Sequence, residues 1–180
     1  IKKRHLLVFA ADNGVVCEGV SSAPQSVTLK QAINLTKKKT GAAVLAAHFG
    51  CGITVCDVGI NGDVKNSNVL DRKIAYGTQN IAKGPAMTKE QALKAITVGA
   101  ELAKNTDADI IGVGEMGIGN TTTASAVLSV LLDIDVEKVT GRGGGITDGA
   151  FQKKKEVIRQ AIKINAPDKN DVLDVLSKVG

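Results

Sequence analysis

A chain of 180 residues, 43% hydrophobic and 23% charged, has the length of one ordinary domain and enough apolar material for a single core. Phe9, Phe49, Phe151 and Tyr76 are its aromatic residues and tryptophan is absent, so small aliphatic side chains must fill the interior and stacking platforms for single-stranded nucleic acid are not supplied. The formal charge of +5 gathers partly at residues 37–39 and 153–155, two lysine runs that could attract a phosphate but read first as solvated faces, and no apolar run approaches the ~20 residues of a membrane span.

In chain order, residues 6–11 form a short apolar run that predicts a first strand. The loop over residues 10–27, A-A-D-N-G-V-V-C-E-G-V-S-S-A-P-Q-S-V, follows it. Asp12, Asn13 and Gly14 close the strand, and Glu18 is either a base or an exposed loop charge. Residues 27–35 and 42–48 are helix-like in composition and lead to a second strand at residues 53–58. Thr88 with Gln91 is a capping-box pattern and Pro85 lies just upstream, which predicts a helix over residues 88–104.

Residues 109–113 predict a third, buried strand that runs into the glycine-rich turn G-V-G-E-M-G-I-G-N-T-T. Asn120 or Thr121 is expected to cap the helix over residues 121–132, apolar nearly all round, while its first amides face an anion. A carboxylate at a strand's carboxyl end beside a helix start marks the usual ligand crevice of an open α/β sheet, which singles out Glu115. The order of these glycines is not the dinucleotide fingerprint. A second cluster, T-G-R-G-G-G-I-T-D, offers a nest of amides at residues 141–145 with Lys154 downstream, and it is not a Walker loop. Asp148 is expected to cap a helix over residues 149–164 whose inward stripe is Val157, Ile158, Ala161 and Ile162, and a last helix spans residues 171–178.

Short buried runs alternating with longer helices indicate an α/β fold, a parallel sheet flanked by crossover helices. Three polar clusters along one edge of that sheet suggest a phosphorylated ligand with a neutral ring compound. Cys17, Cys51 and Cys56 are odd in number and lack C-x-x-C spacing, while His5 and His48 have no companion ligand, so a reduced cytoplasmic setting without a metal is expected. Both chain ends look cut, and no internal boundary is visible, which describes a single α/β nucleotide-binding core over residues 1–180 from a longer protein.

The blocks A-D-N-G-V-V-C-E-G-V, P-Q-S-V-T, G-T-Q-N-I-A-K-G-P-A-M-T, G-V-G-E-M-G-I-G-N-T-T and D-V-L-D-V-L-S-K-V-G, in this order, make the chain similar to nicotinate-nucleotide:dimethylbenzimidazole phosphoribosyltransferases. The resemblance implies a Rossmann-like sheet, with a smaller helical domain that is incomplete here. It further implies a homodimer without a cofactor, acting on small molecules and not on nucleic acid or membranes. The implied reaction moves ribose 5-phosphate from nicotinate mononucleotide to 5,6-dimethylbenzimidazole or a related base, giving α-ribazole 5′-phosphate and nicotinate.

By similarity, Glu115 matches the family's active-site glutamate. Gly117, Asn120 and Thr121 line the nucleotide, Gly143 and Lys154 match its phosphate site, and Ala23 with Gln31 fall where the family contacts the benzimidazole. Two departures stand out: Asn13 replaces a histidine common in the family, and Ala23 stands where some members have serine. The family's principal general base lies downstream of the matched region. A chain so placed is the nucleotide-binding core of a longer enzyme, or else a noncatalytic nucleotide-binding subunit or degenerate paralog that needs a partner.

Overall fold

The computed structural model describes residues 1–65 and 68–180. Among them, four strands form one all-parallel sheet in the order β3-β2-β1-β4, with β1 at Arg4–Ala11, β2 at Gly52–Gly59, β3 at Leu70–Asp71 and β4 at Ile110–Met116. The helices are α1 Val27–Thr36, α2 Gly41–His48, α3 Lys89–Asn105, α4 Asn120–Leu132, α5 Val136–Val139, α6 Asp148–Asn165 and α7 Val172–Val179. The α/β class is as expected; the two-residue β3 and the single-turn α5 are too short to leave a periodic signal. Two compact units divide the residues, the first of Ile1–Ala11, Ser26–Tyr76 and Lys94–Gly117, the second of Asp12–Gln25, Gly77–Leu93 and Ile118–Gly180.

The first unit holds the sheet. Parallel strands need long crossovers, and α1 with α2 supplies the one from β1 to β2. Val8, Ala10, Val55 and Ile60 pack with Ala32 and Leu35 of α1 and Ala43 of α2, an aliphatic core that matches the shortage of aromatics. β1 is central, with Phe9 opposite Cys56 on one side and Glu115 on the other. The third strand departs from expectation. It continues through Met116 and lies at the sheet's edge, with Val113 76% exposed, while Glu115 stands at the strand's carboxyl end as expected.

A buried ion pair locks the end of β2. Asp57 is buried; Oδ1 accepts the amides of Gly59 and Ile60, while Oδ2 meets Lys73 Nζ at 2.8 Å. Lys73 also donates to the Ile60 and Gly62 carbonyls and sits 4.7 Å from the Tyr76 ring centre. All of the ammonium donors are thereby used on one turn of chain.

The second unit is helical. Val157, Ile158 and Ala161 of α6 pack with Val175 and Val179 of α7, Ala126 of α4, and Val15, Ile81 and Ala86. The α6 stripe is as expected, with Ile162 at its partly buried margin. The last turn of α7 offers its Ser177 and Lys178 carbonyls to the amides of Met87 and Ala86 at 2.9 and 3.0 Å. α4, expected from its apolar composition close to the sheet or in a subunit contact, buries Thr122, Thr123, Ser125 and Ser129, whereas Leu128 and Leu132 are exposed. Paired hydroxyls make that possible for the two serines. Ser125 donates to the Thr121 and Val139 carbonyls and Ser129 to that of Ile134, so each of these serine oxygens has a partner.

Removing one half of a buried ion pair leaves the other charge uncompensated. Lys73→Met should therefore cost about 3 kcal/mol in urea denaturation, whereas Lys3→Met, which breaks the exposed pair with Asp107, should leave the midpoint unchanged.

Candidate functional site

Three loops meet inside the second unit, and a buried asparagine ties the first to the second. Asn13 Nδ2 donates to the Ile118 carbonyl at 3.3 Å, and its Oδ1 accepts from Thr123 Oγ1 at 3.3 Å. The approach is close enough to require glycine at residue 119, whose φ is +91°: a Cβ there would stand 2.6 Å from Val16 Cγ2 and 3.3 Å from Asn13 Cβ. Gly119 is also the N-cap of α4, which corrects the expected cap at Asn120 or Thr121; both are the first helical residues, and no side chain caps this end. Ser22 Oγ reaches the Gly144 carbonyl at 3.4 Å and joins the first loop to the third. Within the first loop Glu18 is half-buried and accepts from Asn80 Nδ2 at 2.7 Å, so it is no free loop charge.

Lys154 lies at the centre of the cluster. Its side chain is 1% exposed and Lys155 is buried too, so these two are the exceptions to the solvated reading, which Lys37, Lys38, Lys39 and Lys153 follow. Nζ donates to Thr121 Oγ1 at 2.8 Å and to the Gly141 carbonyl at 2.9 Å. Neither partner carries a charge, and burial alone pushes its pKa below the ordinary lysine value. Thr121 is the second residue of α4, so the ammonium also sits at the positive end of a helix. Gly143, with φ +55°, backs onto the same place: a Cβ there would be 2.9 Å from Thr121 Oγ1 and 3.7 Å from Lys154 Nζ. Gly143 and Lys154, expected at the phosphate, are brought together by the fold, and with them Thr121, expected along the nucleotide.

The third loop is less of an open nest than expected. The amides of Gly145 and Ile146 are both turned onto the Arg142 carbonyl, at 3.1 and 3.4 Å. Among the described residues, those of Gly143 and Gly144 take no protein acceptor. Thr147, not Asp148, caps α6, because its hydroxyl accepts the Ala150 amide while the Asp148 carboxylate is taken by Arg142. Lys155, next to Lys154, does have an anion, at 2.6 Å in Glu137. Sequence reasoning passed over Arg142 and Lys155; the available signal was Phe151, a rare aromatic one helical turn before Lys155, whose ring lies 4.2 Å from Lys155 and 4.8 Å from Arg142.

The remaining candidates divide between the units. Glu115, Gln31 and Gly117 belong to the first unit. There Gln31 lies on α1, where its side chain accepts from Asn34, and α1 packs on β1, β2 and β4. Asn120 and Ala23 belong to the second unit; Asn120 opens α4, and the Ala23 amide is held by Ser21 Oγ at 3.2 Å. Glu115 reaches solvent from the sheet edge, yet protein crowding strips enough water from its carboxylate to push the pKa up to about 7. A carboxyl so poised exchanges a proton near neutrality, which suits acid–base or charge-stabilising work.

A family model described as phosphoribosyltransferase matches residues 1–180. The nicotinate-nucleotide–dimethylbenzimidazole phosphoribosyltransferase of Clostridium tetani is 48% identical over 183 residues, covering 100% of this chain and 51% of that protein. The protein of the same name from Geobacter metallireducens is 48% identical over 182 residues, covering 99% of this chain and 52% of its own. The crystal structure of CobT from Thermus thermophilus superposes with a TM-score of 0.92 at 35% identity, over 100% of this chain and 55% of that one. The chain thus spans about half the length of the curated relatives it matches.

Raising a carboxyl's folded pKa favours its neutral form, so the stability tied to Glu115 is full below its ordinary value of 4.5 and is lost as pH rises towards about 7. The melting temperature of Glu115→Gln minus that of the wild type should accordingly grow between pH 4.5 and 7 and flatten above. A flat difference across that window would remove the perturbed carboxyl from the site.

Proposed function

The chain belongs to the phosphoribosyltransferase family, and from that membership we propose that it is the phosphate-holding half of an enzyme that moves ribose 5-phosphate from nicotinate mononucleotide to 5,6-dimethylbenzimidazole or a related base. The observation that carries the reading is the buried, uncompensated ammonium of Lys154. Such a group is costly unless an anion joins it, and the unspent amides of Gly143 and Gly144, the Thr121 hydroxyl and the start of α4 are suited to a phosphate.

In the proposed reaction a benzimidazole ring nitrogen attacks C1′ as the bond from C1′ to the nicotinate nitrogen breaks. The electron pair of that bond leaves with nicotinate, the anomeric carbon inverts, and the ring proton of the attacking base passes to a general base. Positive charge develops on the ribose, so Glu115 is assigned to stabilise it or to orient a substrate. Gly117, Asn120 and Thr121 are assigned to the nucleotide, and Ala23 with Gln31 to the acceptor base. The general base is assigned to the part of the relatives that lies downstream of this region. No helix among the described residues is long and apolar enough to cross a membrane. A cytoplasmic homodimer completes the reading.

Calorimetric titration of the chain with nicotinate mononucleotide should show binding that Lys154→Met weakens by more than about tenfold, the scale of one lost charge-assisted hydrogen bond. Undiminished binding in that variant would sink the phosphate assignment. In the complete polypeptide, Glu115→Gln should lower kcat by roughly a hundredfold while the fold is kept. Binding without turnover by the complete polypeptide favours the rival reading, a nucleotide-binding paralog.

A further inference from the structure

We infer that Arg142 is a positioning residue for the phosphate seat, holding the glycine loop against Lys154 without touching the anion; the inference rests on the seat proposed above. Glycine resists ordering more than any other residue, and the loop carries Gly141, Gly143, Gly144 and Gly145 around one arginine. Something has to fix it. The Arg142 carbonyl accepts two amides of its own loop, those of Gly145 and Ile146. Its side chain then closes the loop from the other direction: Nη1 donates to the Ile146 carbonyl at 3.1 Å, Nη2 pairs with Asp148, and the guanidinium lies 4.8 Å from the Phe151 ring centre.

These contacts turn Arg142 back onto the start of α6. Its charge is already met by Asp148, whereas Lys154 donates to a hydroxyl and a carbonyl, both neutral. Phe151 is shared with Lys155, itself held by Glu137, so the ring is anchored on a second cation. The consequence is a loop whose Gly141 carbonyl and Gly143 backbone are set on Lys154 while Gly143 and Gly144 keep their amides for a ligand.

The test titrates inorganic phosphate into the folded chain by NMR, for wild type and for Arg142→Ala, Arg142→Lys, Asp148→Asn and Lys154→Met, with melting temperatures recorded without phosphate. Arg142→Ala should weaken phosphate about tenfold. Arg142→Lys, which keeps a cation for Phe151 and Asp148, should recover most of that loss, and Asp148→Asn should weaken phosphate in the same direction although it removes no positive charge. In the complete enzyme Arg142→Ala should raise KM for the phosphorylated donor and leave kcat unchanged. Tight binding by Asp148→Asn with weak binding by Arg142→Ala would make the arginine a direct ligand and overturn the positioning role. Unchanged binding in Arg142→Ala with a loss in Lys154→Met overturns this inference alone; unchanged binding in Lys154→Met overturns the seat and the inference together. Should Arg142→Ala fail to fold, the Asp148→Asn and Arg142→Lys pair decides.

Discussion

The site is organised around a positive charge removed from water without a negative one beside it. Lys154 is covered by the second unit and given two neutral oxygens, at the end of a helix that itself repels cations. Folding alone gains nothing from such a placement; a hydrophobic side chain of similar volume would be easier to bury. Its neighbour shows the contrast, since Lys155 is also enclosed but reaches Glu137. Of three consecutive lysines, one faces water, one is enclosed against a carboxylate and one is enclosed against neutral oxygens alone.

Around that charge the backbone is placed by groups that each serve two loops. Asn13 is the clearest, because an amide offers a donor and an acceptor and spends one on Ile118 and the other on Thr123. A neutral imidazole has the same pair of functions, so asparagine can make here the two bonds that a histidine would make. The two differ in reach and in charge, since only the imidazole can take up a proton near neutral pH.

Much of this was legible in the letters. The capping box at Thr88 and Gln91 is present with both hydrogen bonds, the apolar stripe of α6 faces the core, and the motifs that hold Gly143, Thr121 and Lys154 point to one place. What escaped were outcomes of competition between side chains. Thr147 and Asp148 are both good caps, and sequence cannot say that Arg142 will claim the carboxylate and leave the hydroxyl for the helix. Burial of Lys154 escaped for the opposite reason: lysine is among the residues least often enclosed, so composition argues against the placement found. The edge position of β4 was hidden too, because Ile-Ile-Gly-Val reads as interior whichever strands come to flank it.

That edge has a consequence for how the molecule behaves in solution. Along β4 the outer row of peptide groups has no strand beside it among the described residues, and Ile110 and Val113 stand bare on the same segment. An open parallel border of aliphatic residues is a template for adhesion, able to recruit any extended segment that offers matching amides and carbonyls. Colloidal behaviour, and not only chemistry, therefore turns on whether a further ribbon of polypeptide is laid along it.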